Sequence, residues 1–333
     1  MRIFVAGGAG YVGSHCVRRL LDDGHEVTVY DNLSAGHRAA VDRRATFVDG
    51  DLGDPARLEG AFATGQFDAA MHFAAFLNVG ESVSEPLKYW HNNVANTLNL
   101  LRCMQAHGVR RFIFSSSCAV YGEPDELPIT EDLPKSPINP YGATKLAVEW
   151  MLEHSAAAWQ LGSVALRYFN ASGAAGDGTL GEDHEPEVHL IPLVLQVALG
   201  KRPHIKVFGT DYPTPDGTCI RDYIHVEDLA EAHLRAVLNC QPGVFEAYNV
   251  GTGRGYSVLE IISAAREVTG HPIPAVETDR RPGDPAVLYA DPTRIRHRYG
   301  WEPRYRDVKT IIETAWRWHR SHPHGYQDRQ RAG

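Results

Sequence analysis

The sequence predicts an α/β protein in which a doubly wound parallel sheet carries a smaller α+β region. Three observations lead there. Short apolar runs alternate with longer stretches of helical period through the first half. A glycine-rich turn follows the first apolar run. The chain is 43% hydrophobic and 22% charged, as expected of a cored globular protein. Its 333 residues suit about two domains.

Arg2 to Ala6, Val27 to Tyr30, Thr46 to Val48, Ala69 to Phe73, Phe112 to Ser115 and Val164 to Arg167 read as six strands. Between them Tyr11 to Leu21, Pro55 to Phe62, Leu87 to Ala106 and Tyr141 to Leu161 carry the helical period. Six such strands complete a doubly wound domain over residues 1–170. The glycine-rich segment Ala171 to Glu187 is expected to be a junction loop, and residues 171–333 a second domain. Helices are expected there at Leu190 to Leu199, Glu227 to Leu238, Val258 to Val268 and Val308 to Arg320. The Arg- and Pro-rich stretch Asp279 to Asp284 reads as an exposed loop. Part of 225–255, around Ala247 to Val250, is expected to rejoin the first sheet.

A formal net charge of −8 gives no support to a nucleic-acid partner or an anionic membrane. No run of 18 apolar residues offers a membrane span. Five scattered cysteines, odd in number and never in a Cys-x-x-Cys pair, point to a reducing compartment, so a cytoplasmic location is expected. No metal site is expected. The C-terminal His319, His322 and His324 have no carboxylate or cysteine at ligand spacing and read as part of a capping helix.

Gly7, Gly10 and Gly13 sit where the first strand turns into the first helix. Glycine there permits the tight turn, lets the backbone approach a pyrophosphate and allows close helix packing, while the helix N-terminus supplies N–H donors. Asp31 ends the second strand 18 residues after Gly13, near the ~20 expected of a carboxylate that bonds an adenosine ribose. Because a carboxylate repels a 2′-phosphate, the expected cofactor is NAD. Asp51-Leu52 and Phe73-Ala74-Ala75 lie at carboxyl strand ends, where such a sheet binds its ligand.

Tyr141 and Lys145 are one turn apart at the start of a predicted helix. An ammonium there is expected to lower the phenol pKa and make a general base for a sugar hydroxyl. Ser117, at a strand end 24 residues upstream, can relay the proton. A second pair with this spacing, Tyr305 and Lys309, lacks a preceding hydroxyl cluster and reads as a helix entry.

With these motifs, the chain resembles the extended short-chain dehydrogenase/reductases, a Rossmann-fold family. Within them it is similar to the UDP-glucose 4-epimerases. The resemblance runs along nearly the whole chain, through Gly7 to His15, His72 to Ala75, Val79 to Ser82, Phe112 to Gly122, Pro140 to Lys145 and Arg167 to Asn170. In the second half it runs through Asp216 to Thr218, Arg221 to Val226 and Arg280 to Asp284. It implies interconversion of UDP-galactose and UDP-glucose by C4 oxidation, rotation of the 4-keto sugar and re-reduction with tightly held NAD. It also implies a homodimer built on the helices Leu87 to Ala106 and Tyr141 to Leu161.

The resemblance further implies NAD contacts at Tyr11, Val12, the Asp31 to Gly36 turn with Asn32 and Ser34, Asp51, Leu52, Phe73, Asn92, Lys145 and Phe169. Nucleotide-sugar contacts fall on Asn170, Leu190, Val207, Phe208, Arg221, Tyr223, Arg281 and Asp284, with Ser117 and Tyr141 at the sugar. Two arginines suit a diphosphate because guanidinium offers paired donors. There are departures from the family pattern. His189 stands where the family often has Asn in the uridine loop, and Leu77 where some relatives have a lysine. Leu288 replaces a bulky Tyr, which leaves room for an N-acetyl group and predicts turnover of UDP-N-acetylhexosamines. The rivals are a nucleotide-sugar 4,6-dehydratase and a non-catalytic NAD sensor. A dehydratase needs an extra acid and base where this chain has Cys118 and Ala119, and a sensor needs neither Tyr141 with Lys145 nor a diphosphate site.

Overall fold

A computed structural model describes residues 1–281 and 283–327; Pro282, within the predicted Asp279 to Asp284 loop, and residues 328–333 lie outside the described residues. Strands β1 (Arg2–Ala6), β2 (Glu26–Asp31), β3 (Thr46–Asp49), β4 (Ala69–His72), β5 (Arg111–Ser117) and β6 (Gly162–Tyr168) pair in parallel, in the order β6-β5-β4-β1-β2-β3. After β7 (Asn170–Ser172), β8 (Ile205–Phe208) and β9 (Ile220–His225), strand β10 (Phe245–Val250) pairs in parallel with β6 and makes the sheet seven-stranded.

Both faces of this sheet are buried, and β1 shows how. Ile3 and Val5 enter one core with Val17 and Leu20 of α1 (Tyr11–Asp22). Phe4 and Ala6 enter the other, with Leu58 and Phe62 of α2 (Pro55–Gly65). Strand alternation thus feeds two helical layers.

The predicted helix Leu87 to Ala106 is interrupted. After α3 (Val79–Ser84), α4 (Pro86–Tyr89) runs through a π-helical stretch, Trp90–Ala95, into α5 (Asn96–Ala106). The wide turn carries Asn92 and Asn93. Buried Asn93 accepts from the Phe76 amide at 2.9 Å and donates to the Phe76 carbonyl at 3.1 Å and to Thr144 at 3.2 Å. These polar partners, out of reach of periodicity arguments, favour a local departure from the α repeat.

Helix α6 (Pro140–Trp159) starts with Pro in its first turn and with the Asn139 side chain accepting from the Gly142 amide at 2.9 Å, two strong start signals. In the second half, α7 (Leu190–Ala198), α8 (Val226–Asn239) and α9 (Val258–Thr269) alternate along the chain with the short strands. Ser257 and Glu260 close a capping box on α9. Helix α8 does not stay with its sequence neighbours: Leu229, Ala232 and Ala236 fill the sheet core beside α1. Strands β11 (Gly255–Ser257), β12 (Ala275–Thr278) and β13 (Val287–Leu288), with α10 (Thr293–Tyr299) and α11 (Val308–Ser321), complete the chain. A separate core joins α7, α9 and α11 through Leu195, Ile262 and Ile312.

Candidate active site

The sheet order reverses between β1 and β4, whose carboxyl ends flank a crevice. Gly7 occupies it at φ +79°, and a Cβ there would lie 2.4 Å from the Ala74 amide nitrogen. A Cβ on Gly13 would lie 2.2 Å from the Gly7 carbonyl, so α1 packs directly on the loop. Gly10 differs: its Cβ would meet only the Gly7 carbonyl, at 3.5 Å, and no side chain caps the helix above it. This open backbone at a helix N-terminus is a cradle for a phosphate.

Asp31 fastens the second strand to the loop by accepting from the amides of Ala9 and Leu33, both at 2.9 Å. Burial raises its pKa against those bonds. The turn continues with Asn32 donating to Asp51 at 2.6 Å and accepting from the Ser34 amide at 3.0 Å. Gly36 lies against Ala9, where a Cβ would come within 2.7 Å of the carbonyl carbon. Leu52 is buried, and Val12 packs against the sheet core. The Tyr11 hydroxyl donates to the Gly173 carbonyl at 2.7 Å. Phe73 donates its amide to Ala6 at 2.7 Å, and Ala75 donates to Phe73 at 2.9 Å, which keeps 73–75 beside the glycine loop. A cavity of about 500 Å³ opens beside Asp51, Phe76, Lys88 and Asn92. The residues therefore fit a dinucleotide.

Tyr141 stands in the first turn of α6 and Lys145 one turn on. The Lys145 ammonium donates to the Ser115 carbonyl at 2.8 Å and lies 5.7 Å from the Tyr141 ring centre. Ser117 accepts from the Ala119 amide at 3.2 Å, and its hydroxyl lies near enough to the Tyr141 phenol to draw that pKa down. The expectation of a lowered phenol pKa is corrected here. Burial raises Tyr141 well above its ordinary value, with Tyr168 adding to the rise and the Ser117 hydroxyl opposing it. Burial also pulls Lys145 down to about 7, with the Glu149 charge holding it up. Desolvation outweighs the pair's mutual effect.

Behind this pair lies a network centred on Glu149, a residue outside the motifs, that joins members of two of them. Glu149 accepts from Ser116 at 2.6 Å and from Arg167 through two bonds, at 2.9 and 2.5 Å. Arg167 also donates to the Tyr121 hydroxyl at 2.8 Å, and Ser115 shares a 2.6 Å bond with the Tyr168 hydroxyl. Glu149 was within reach of sequence reasoning, four residues past Lys145 on the same helix face. Tyr305 and Lys309 form no comparable site: Tyr305 bonds Glu227 and Lys309 pairs with Glu267.

Toward the second half, Asn170 lies beside Tyr223 in the β7–β9 ladder and donates to the Asp222 carbonyl at 2.9 Å. Arg221 pairs with Asp284 and lies opposite Leu288 across β9 and β13. Arg281 stacks over the Phe208 ring at 3.9 Å. Phe169 and Leu288 share a buried cluster. The Val207 side chain faces the other core, so only its backbone is available to a ligand. Half-buried Leu190 begins α7. Burial alone would lower His189, but Glu182, 2.5 Å away, holds it up at about 10.

Residues 3–251 match the family model described as "NAD dependent epimerase/dehydratase family". The chain belongs to that family. Among members of the epimerase/dehydratase family, it is 52% identical over 329 residues to a UDP-glucose 4-epimerase of Streptomyces lividans, covering 98% of this chain and 99% of the relative. A solved UDP-glucose 4-epimerase superposes with a TM-score of 0.95 at 51% identity, covering 98% of this chain and all of that one. The Bifidobacterium longum UDP-glucose 4-epimerase, crystallised with NAD+ and UDP, gives 0.94 at 41% identity, covering 98% of this chain and 100% of that one.

Proposed function

We propose that this chain interconverts UDP-galactose and UDP-glucose at C4, using NAD held in the glycine-loop crevice. The observation that carries the reading is the convergence of Tyr141, Ser117 and Lys145 beside that crevice. The 52% identity to a UDP-glucose 4-epimerase over nearly all of both chains supports the choice of sugar nucleotide. Bound NAD supplies a hydride acceptor and donor at C4 with no net redox change.

The chain's own groups manage the proton and the geometry. Tyr141 takes the proton of the sugar 4-hydroxyl, with Ser117 bonding the same oxygen and relaying. Because burial opposes the phenolate, ionisation of Tyr141 depends on positive charge brought close to it, which Lys145 supplies in its protonated form. Gly7, Gly10, Tyr11, Val12 and Gly13 cradle the pyrophosphate through backbone donors, and Asp31 meets the adenosine ribose. Asn32, Ser34, Gly36, Asp51, Leu52 and Asn92 shape the adenosine end, while Phe73, Ala74, Ala75 and Phe169 line the nicotinamide side. Arg221 and Arg281 hold the diphosphate, with Asp284 orienting Arg221. Asn170, His189, Leu190, Phe208, Tyr223 and the Val207 backbone complete the nucleotide pocket.

On this reading residues 1–170 form the cofactor half, and 171–333, apart from the part of 225–255 in the sheet, the substrate half. Exposed Leu87, Trp90, Leu98 and Trp150 on the two long helical segments support a homodimer. Five free cysteines support the cytoplasm, and among the described residues no helix is long and apolar enough to cross a membrane.

The test is to purify the chain, supply UDP-galactose with no added NAD, and assay for UDP-glucose. Conversion is expected. Tyr141→Phe should keep its bound NAD and lose conversion; a variant retaining more than about a tenth of the rate would refute Tyr141 as the base.

A further inference from the structure

The segment between β7 and α7 folds so that Glu182, His184, Glu187 and His189 bring one ligand atom each within 4.8 Å of one another. We propose that these four side chains bind one divalent cation of the zinc class, which fastens this segment beside the crevice. No metal is expected from the sequence, where the C-terminal histidines draw attention instead.

The first argument is geometric. A tetrahedral zinc site with nitrogen and oxygen ligands at about 2.0–2.1 Å sets neighbouring ligand atoms roughly 3.3 Å apart. His184 Nδ1 lies 3.2 Å from Glu182 Oε1 and 3.8 Å from Glu187 Oε2, while His189 Nδ1 lies 3.5 Å from the other Glu187 oxygen, Oε1. His189 Nδ1 lies 2.5 Å from Glu182 Oε1, and this contact must open by roughly 0.8 Å to reach the tetrahedral spacing.

The second argument is one of charge and satisfaction. The Glu182 and Glu187 side chains are only 3% and 4% exposed, and protonated His189 offsets one of these two buried charges, leaving the pair net negative. A divalent cation would balance both carboxylates, with His189 releasing to solvent the proton that Glu182 holds on it. His184 Nδ1 is sealed from solvent and makes no hydrogen bond of normal geometry, although it points among the other three. Metal coordination would satisfy it.

The third argument is support and access. Glu187 accepts from the amides of Val188 and His189, at 2.8 and 2.9 Å, which orients its carboxylate. His184 packs edge-on against Tyr11, with ring centres 6.3 Å apart. His189 is 37% exposed and leaves an entry path. A cation here would tie Tyr11 at the glycine loop to Leu190 at the start of α7.

The test uses untagged, chelator-stripped protein in mildly alkaline buffer, titrated with Zn²⁺ and analysed for bound metal, with Co²⁺ as a spectroscopic probe. One zinc per chain is expected, with a melting temperature raised by several degrees and a Co²⁺ visible spectrum of tetrahedral nitrogen and oxygen ligation. His184→Ala should weaken zinc binding by at least about tenfold. Failure of the wild type to bind zinc, or undiminished binding by His184→Ala, overturns the proposal. If that variant does not fold, the wild-type Co²⁺ spectrum decides: octahedral ligation, or a thiolate charge-transfer band from a cysteine, rules the site out. None of these readouts depends on epimerase activity.

Discussion

Replacing Glu149 by Gln removes one charge from a pair that the protein buries almost completely. The Arg167 and Glu149 side chains are 4% and 2% exposed and share two hydrogen bonds. Gln can keep Oε1, which accepts from both Ser116 and the Arg167 Nε, but it puts an amide NH2 where Oε2 accepts from the Arg167 Nη2, so two donors face each other and the guanidinium loses its counter-charge. Breaking a buried pair in this way costs about 3–5 kcal/mol. At about 2 °C per kcal/mol for a chain of this size, the melting temperature should fall by about 6–10 °C. The same change reaches the active site. Burial pulls Lys145 to about 7 and Glu149 holds it up, so Glu149→Gln should lower it further. The alkaline fall in kcat, where Lys145 gives up its proton, should then begin at lower pH than in the wild type. Thermal melts and kcat profiles between about pH 6 and 9 measure both effects. A melting-temperature change under about 2 °C, or superimposable pH profiles, would refute the reasoning.

Lys145→Met tests the desolvation of the ammonium itself. The folded pKa of about 7 lies below the ordinary 10.5, so the unfolded chain binds the extra proton between these values and burial costs stability at low pH. The variant should be inactive yet more stable by a few kcal/mol below about pH 7, with the gap closing as pH rises; a gap indifferent to pH contradicts this. Gly7→Ala combines a φ of +79° with a 2.4 Å approach to Ala74, so it should melt earlier and purify with little NAD, which ultraviolet absorbance would show. Normal cofactor content would argue against the cradle. Leu288→Tyr should suppress any turnover of UDP-N-acetylglucosamine while sparing UDP-galactose, measured by product chromatography; equal loss of both would mean that Leu288 does not set sugar size.

Much of the site is readable in the sequence because its pieces are local. The Gly7, Gly10 and Gly13 turn is a demand of backbone geometry over seven residues, and Tyr141 with Lys145 is one helical turn. The Glu149 and Arg167 pair was not readable, because its partners sit on a helix and the following strand and meet only when both pack on the sheet. The cluster from Glu182 to His189 is local in sequence, but its buried carboxylates depend on how a segment that reads only as a junction loop turns inward. The π-helical stretch at Trp90–Ala95 follows from what Asn93 bonds across the chain, and no period in the sequence contains that information.

By itself the sequence determined the α/β class, the glycine loop and the reactive Tyr141, since alternation, turn chemistry and helical spacing are properties of neighbouring residues. The sequence also pointed to 247–250 rejoining the sheet, but only the tertiary structure decided that this strand, β10, pairs with β6, that α8 covers the sheet beside α1, and that burial raises the Tyr141 pKa while lowering that of Lys145. Long-range pairing and desolvation depend on what the whole chain brings together. A short sequence window carries neither.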